Sequence, residues 1–135
     1  MKYLLDTNAC IKYLTQRSAP IVARMQRTKP AEIVLCSVVK TELMFGAHKS
    51  ARTRDNLEKL GTFFEPFVSL PFDDRAAAVA GEIRATLERA GTPVGPNDLL
   101  IASIALANGL TLVTHNTAEF RLVPGLALED WEAEA

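Results

Sequence analysis

The sequence predicts an α/β fold built on a parallel sheet of four or five strands, with helices on both faces. Two observations carry that prediction. Short apolar runs alternate with helical stretches along the chain. No hairpin turn joins any two of the runs, so neighbouring strands must be linked by crossovers.

Each element has a local reason. Residues 2–6 read as a buried strand that ends on Asp6, and 10–16 as a helix that Asn8 would cap. Ser18-Ala19-Pro20 breaks the pattern before a short helix over 21–27, and Lys29-Pro30 marks a turn. The run Ile-Val-Leu-Cys at 33–36 is a second strand. Ser37 then offers an N-cap to VVKTELMFGAHK, a helical stretch carrying Glu42. Residues 53–64 place Leu57, Leu60, Phe63 and Phe64 at core spacing. A third strand over 67–70 closes at Pro71, and Asp73 or Asp74 starts a long helix that Gly91 ends. After the link TPVGPN, a helix runs from Asp98 to about Asn108 and stops at Gly109. Residues 110–114 form a fourth strand, 118–120 a helical turn, and 126–128 a last strand.

Composition excludes several classes. At 135 residues the chain fits one domain, residues 1–135, and its 48% hydrophobic content suits an ordinary folded core. No apolar run approaches the ~20 residues of a membrane span, and the N-terminus lacks an export signal, so the expected location is cytoplasmic. Cys10 and Cys36 form no CxxC motif and read as small core residues. Net charge is −1, yet residues 129–135 hold four acids, an acidic C-terminal tail. The remainder carries 15 bases against 12 acids, gathered at Lys49, Arg52 and Arg54 and around Arg24, Arg27 and Lys29. Each cluster is either a solvated face or a polyanion contact.

The acids are the informative feature. Asp6 sits at a strand exit, where parallel sheets gather ligands. Glu42 lies on a helix among apolar residues, Asp98 opens the apolar helix DLLIASIALA, and Asn116 and Glu119 follow the fourth strand. Taken singly, Asp6 and Asp98 serve equally as helix caps, and Glu42 and Glu119 as surface acids. Taken together, they predict an oxygen-rich cluster at one sheet edge, tolerable with a hard cation such as Mg²⁺ or Mn²⁺.

LLDTN at the start, TELMFGA around residue 42 and PNDLLIASIALANGLTLVTHNTAEFRLVPGLALEDW near the end carry a resemblance. The chain resembles the PIN-domain ribonucleases, and more narrowly the VapC toxins of bacterial toxin–antitoxin pairs, from Met1 to Trp131. The resemblance implies a PIN-like three-layer sandwich and a metal-dependent endoribonuclease that leaves 5′-phosphate and 3′-hydroxyl ends. It maps the catalytic carboxylates onto Asp6, Glu42 and Asp98, with Asp6 and Asp98 holding Mg²⁺, or Mn²⁺ as a substitute. Many relatives place an acid where Asn116 stands; those of the NTxEF form use the position of Glu119, which becomes the fourth acid here. Thr7, Asn8 and Thr114 are then partners that orient the acids. RNA, cut in a structured tRNA or rRNA loop, would dock on Lys40, Lys49, Arg52 and Arg54. His48 and His115 have plain surface roles or touch RNA. The implied partners are a second copy of the chain and a small VapB-type antitoxin, and Met44, Phe45, Phe63 and Phe64 are either its groove or ordinary core.

Two rival functions fit parts of the pattern. A haloacid-dehalogenase-like phosphatase would use Asp6 as nucleophile but wants a second Asp at the position of Asn8. A non-catalytic PIN-like binding module would keep the fold without the chemistry, although Asp6, Glu42 and Asp98 are all present.

Overall fold

Five strands form one all-parallel sheet in the computed structural model, which describes residues 1–133. The strands are β1 (Tyr3–Leu5), β2 (Ile33–Cys36), β3 (Val68–Leu70), β4 (Thr111–Val113) and β5 (Leu128–Glu129), in the order β3-β2-β1-β4-β5. Register pairs Tyr3 with Ile33 on one side and with Thr111 on the other. Strands β1 and β2 are buried at every residue, as strands covered on both faces must be. β3 is an edge strand and stays largely exposed.

The helices are α1 (Thr7–Leu14), α2 (Ala19–Arg27), α3 (Ser37–Lys49), α4 (Thr53–Phe64), α5 (Asp74–Arg89), α6 (Pro96–Ala107) and α7 (Thr117–Phe120). Two differences from the sequence expectation bear on the site. α1 starts at Thr7, not after Asn8, because Asp6 itself caps it: its carboxylate accepts from Ala9 N–H at 2.8 Å. Asn8 is therefore an exposed helical residue. α6 starts at Pro96, whose fixed φ and missing N–H suit a first helical position. That moves Asp98 from the cap into the first turn, with its carboxylate at the positive end of the helix.

α6 buries Leu99, Ile101, Ala102, Ile104 and Ala105, and α5 packs along it. Its one buried hydroxyl, Ser103, donates back to the Leu99 carbonyl at 2.7 Å, so no polar atom is stranded. Gly91 and Gly109, at φ +72° and +65°, turn the chain out of α5 and α6 in the left-handed region. Among the described residues, no helix is long and apolar enough to cross a membrane. Cys10 and Cys36 are free and buried.

The acidic C-terminal segment is anchored to the rest of the molecule through Glu132. Glu129 lies within β5, one residue later than the sequence placed the last strand. Trp131 is 1% exposed and meets Tyr3 edge-on at 5.3 Å between ring centres. The Arg24 guanidinium lies 4.7 Å from the Trp131 ring and 5.4 Å from that of Tyr3, and reaches Glu129 at 3.3 Å. Residues 134–135, the end of the expected tail, lie outside the described residues. Trp131→Ala should therefore cost about 3–5 kcal/mol in urea unfolding; a loss below ~1 kcal/mol, the range of surface substitutions, would contradict this packing.

Candidate active site

The strand order reverses at β1: the chain moves from β1 to β2 and β3 on one side, then returns to β4 on the other. The crevice beyond the carboxyl ends of β1 and β4 is the place where such sheets bind ligands. Asp6 ends β1 there, and Thr114 follows β4. α3, which carries Glu42, packs against α6, which carries Asp98. Glu119 stands on the short α7 that follows β4.

Three of the four carboxylates, those of Asp6, Glu42 and Glu119, are held by neutral donors. Asp6, 6% exposed, takes Ala9 N–H and a hydrogen bond from Thr114. The Thr114 hydroxyl in turn accepts from Asn116 N–H at 3.0 Å, so one buried hydroxyl ties the β4 exit to the β1 exit. Thr7 donates to Glu42 at 2.8 Å. Glu119 accepts Gly95 N–H at 2.9 Å on one oxygen and the Asn116 side-chain amide on the other. A Cβ built on Gly95 would lie 3.7 Å from Glu119 Oε1 and 3.9 Å from Asp98 Oδ2, so both acids face that glycine.

The electrostatics follow from this crowding. Asp98 is pushed up to about 7 from its ordinary 3.8, by burial first, then by the charge and hydrogen bonding of Glu119, then by the charges of Glu42 and Asp6. Asp6 is also raised, mainly by burial, against the pull of its Thr114 and Ala9 hydrogen bonds; Glu132 and Glu42 add repulsion. Among the described residues, Lys and Arg pair with other acids: Lys12–Glu132, Arg24–Glu129, Arg52–Asp55 and Arg84–Glu88. Asp6, Glu42, Asp98 and Glu119 thus share one electrostatic neighbourhood, and an all-oxygen donor set of this kind fits a hard divalent cation.

Asp98 and Glu119 lie within hydrogen-bonding reach of each other, and Glu42 and Asp6 are near enough to add their charges. Among the described residues, the group of three whose ligand atoms all lie within 4.8 Å of one another is His115, Asp130 and Glu132. A carboxylate cluster of this kind suits an ion that keeps several waters and takes one or two carboxylates, as Mg²⁺ does.

Other expected residues fall differently. Asn8 has an exposed side position on α1 and caps nothing. Phe63 is core at 7% exposed, in ring contact with Tyr13, Phe64 and Phe67, while Met44 and Phe45 are 43% and 65% exposed on α3. An apolar groove of about 360 Å³ does exist, but Ile11, Leu14, Leu43, Ala47 and Leu60 line it, with Glu42 among its walls. Lys40 sits over the Phe64 ring and Lys49 over that of Phe45, whereas Arg52 and Arg54 are exposed near the start of α4. Sequence reasoning missed Glu132 and Asp130 by assigning them to a tail. A lone tryptophan inside EDWE, just after an apolar run, was the available signal for an anchored segment.

The PIN domain family description matches residues 3–126. The chain is 39% identical over 131 residues to the tRNA(fMet)-specific endonuclease VapC of Salmonella typhimurium, covering 97% of this chain and 98% of that one. It is 37% identical to ribonuclease VapC2 of Rickettsia felis, covering 98% and 99%. Two solved structures are similar along the same length. DNA-bound VapBC from Salmonella typhimurium superposes with a TM-score of 0.91 at 39% identity, covering 97% and 98%. VapBC2 from Rickettsia felis bound to a promoter DNA fragment gives 0.89 at 35%, covering 97% and 99%.

The raised Asp98 sets a pH dependence. The folded chain holds that proton up to about pH 7, whereas an unfolded aspartate releases it near 3.8. Stability from this group is complete below the unfolded value and is lost as pH rises through the folded one. In chelator, the melting temperature should fall between pH 5 and 8, and Asp98→Asn should flatten the fall and stabilise the metal-free protein at pH 8. Identical pH profiles for the two proteins would contradict the crowding.

Proposed function

We propose, because the chain belongs to the PIN-domain family and within it stands with the VapC ribonucleases, that it is an endoribonuclease and the toxin of a VapBC toxin–antitoxin pair. The supporting observation is the shared pocket of Asp6, Glu42, Asp98 and Glu119 at the switch-point crevice. The family's nucleases use a divalent metal ion; we assign Mg²⁺ here, with Mn²⁺ as a substitute, and Asp6 and Asp98 as its ligands. When bound, such an ion neutralises phosphate charge and makes water nucleophilic near neutral pH.

The chain's own residues hold and aim this chemistry. Asp6 comes pre-oriented, since Ala9 N–H and Thr114 fix its carboxylate at the strand exit. Glu42, held by Thr7, is assigned to orient the attacking water and take its proton. Glu119 completes the acidic wall; its donors, Asn116 and Gly95, keep it turned toward Asp98. Asn116 is a positioning amide in this reading. The order of events is in-line attack of water on phosphorus with departure of the 3′ oxygen, leaving a 5′-phosphate and a 3′-hydroxyl.

A metal-free acidic pocket repels RNA, so substrate contact is assigned to the exposed cations Lys49, Arg52 and Arg54, with Lys40 at their edge. A relative named as a tRNA(fMet)-specific endonuclease makes initiator tRNA the first substrate to assay. The VapB-type antitoxin is placed in the groove that Ile11, Leu43 and Leu60 line, because Glu42 opens it to the carboxylates. An arginine of that partner would pair with the acids in place of the metal. The reading extends to residues 1–135 as one PIN domain, a homodimer, working in the cytoplasm.

The decisive assay is RNA cleavage by purified protein. Chelator should abolish it, Mn²⁺ or Mg²⁺ should restore it, and Asp98→Asn should lower the rate about 10²–10⁴-fold while the melting curve stays cooperative. Thr7→Val should lower it roughly 10-fold. Cutting by Asp98→Asn at the parent rate would remove Asp98 from the catalytic set, and no cutting by the parent chain with either metal would leave a binding module. Neutralising Arg52 and Arg54 together should weaken RNA binding and reduce its logarithmic salt slope by about 0.7 per charge; an unchanged slope would remove them from the interface.

A further inference from the structure

We propose that His115, Asp130 and Glu132 form a second metal site, for a borderline transition ion such as Zn²⁺, beside the all-oxygen carboxylate pocket. His115 follows β4, and Asp130 and Glu132 follow the neighbouring strand β5. Its Nδ1 lies 2.9 Å from Asp130 Oδ2 and 3.7 Å from Glu132 Oε2, and the three ligand atoms all fall within 4.8 Å of one another. Ligands on an ion at metal–ligand distances of about 2.0–2.2 Å stand ~3–4 Å apart, so this triangle closes on an ion with small side-chain movements.

Three features separate the triad from a chance group of surface acids. An imidazole nitrogen is among the donors, and a mixed nitrogen–oxygen set favours Zn²⁺ over Mg²⁺. Both carboxylates are held from behind: Glu132 N–H donates to Asp130 Oδ1 at 3.0 Å, and Lys12 pairs with Glu132 Oε1 at 2.5 Å. That leaves Asp130 Oδ2 and Glu132 Oε2 on the histidine side. The acids are half-buried and flank the anchored Trp131, while the His115 side chain is 61% exposed, open to an incoming ion and to the waters that complete its shell. An ion here would tie β5 to the loop after β4 that also carries Asn116.

The test uses full-length chain carrying Asp98→Asn, in Mg²⁺-containing buffer, titrated with Zn²⁺ in a calorimeter. One Zn²⁺ per chain is expected. Adding His115→Ala, or separately Asp130→Asn, should weaken binding roughly tenfold or more. His48→Ala, which removes the other histidine, should leave it unchanged. Co²⁺ in place of Zn²⁺ should give visible ligand-field absorption that His115→Ala abolishes. No Zn²⁺ binding, or binding indifferent to His115, overturns the proposal and leaves a histidine–carboxylate hydrogen bond. Because the pocket is already disabled by Asp98→Asn, neither outcome depends on the ribonuclease assignment.

Discussion

Four carboxylates drawn to one edge of a sheet repel one another, and that repulsion is the constraint around which the rest of the molecule is arranged. Asp6, Glu42, Asp98 and Glu119 come from β1, α3, α6 and α7, segments spread over more than a hundred residues of chain. Only a parallel sheet with a reversal of strand order brings their carrier elements to a common crevice. The cost shows in Asp98, whose proton is retained to about pH 7. Folding stability must come from elsewhere, and it comes from the apolar sheet and from α6, half of whose residues are buried.

Hydrogen-bond donors manage the rest of the conflict. Asp6 performs two tasks with one carboxylate, capping α1 and lining the pocket, and the cap bond lowers the energy of its charged form. Thr7, Thr114, Asn116 and the Gly95 amide hold the remaining groups in place without adding charge. A cationic side chain in any of those positions would neutralise the acids permanently. Neutral donors leave the pocket short of positive charge, which a divalent ion or a partner's arginine can supply.

Much of this was legible in the sequence because its signals are local. Period and turn residues marked β2, α4 and α5 closely, and the strand ending on Asp6 pointed to the crevice before any coordinates. The boundaries that shifted did so for definable reasons. Asp6 outcompeted Asn8 as a cap because the strand delivers it directly to the first helical turn, and Pro96 started α6 two residues before Asp98. The choice between groove and core for Phe63 and Met44 stayed open because the two look alike in composition; only packing separates a core ring from an exposed thioether. The last segment was the largest gap. Charge counting marked EDWEAEA only as an acidic C-terminal tail, whereas Tyr3, Arg24 and Trp131 lock its first residues against the sheet by contacts over a hundred residues apart in sequence.

The central claim is that the pocket is built around a missing positive charge. Proton release on metal binding tests it most directly, measured by calorimetric Mg²⁺ or Mn²⁺ titrations at pH 6.5 in buffers of different ionisation enthalpy. The account predicts that binding expels most of about one proton, donated by Asp98, and that Asp98→Asn removes both the proton and most of the affinity. Metal binding with no proton released, or undiminished in Asp98→Asn, would contradict it.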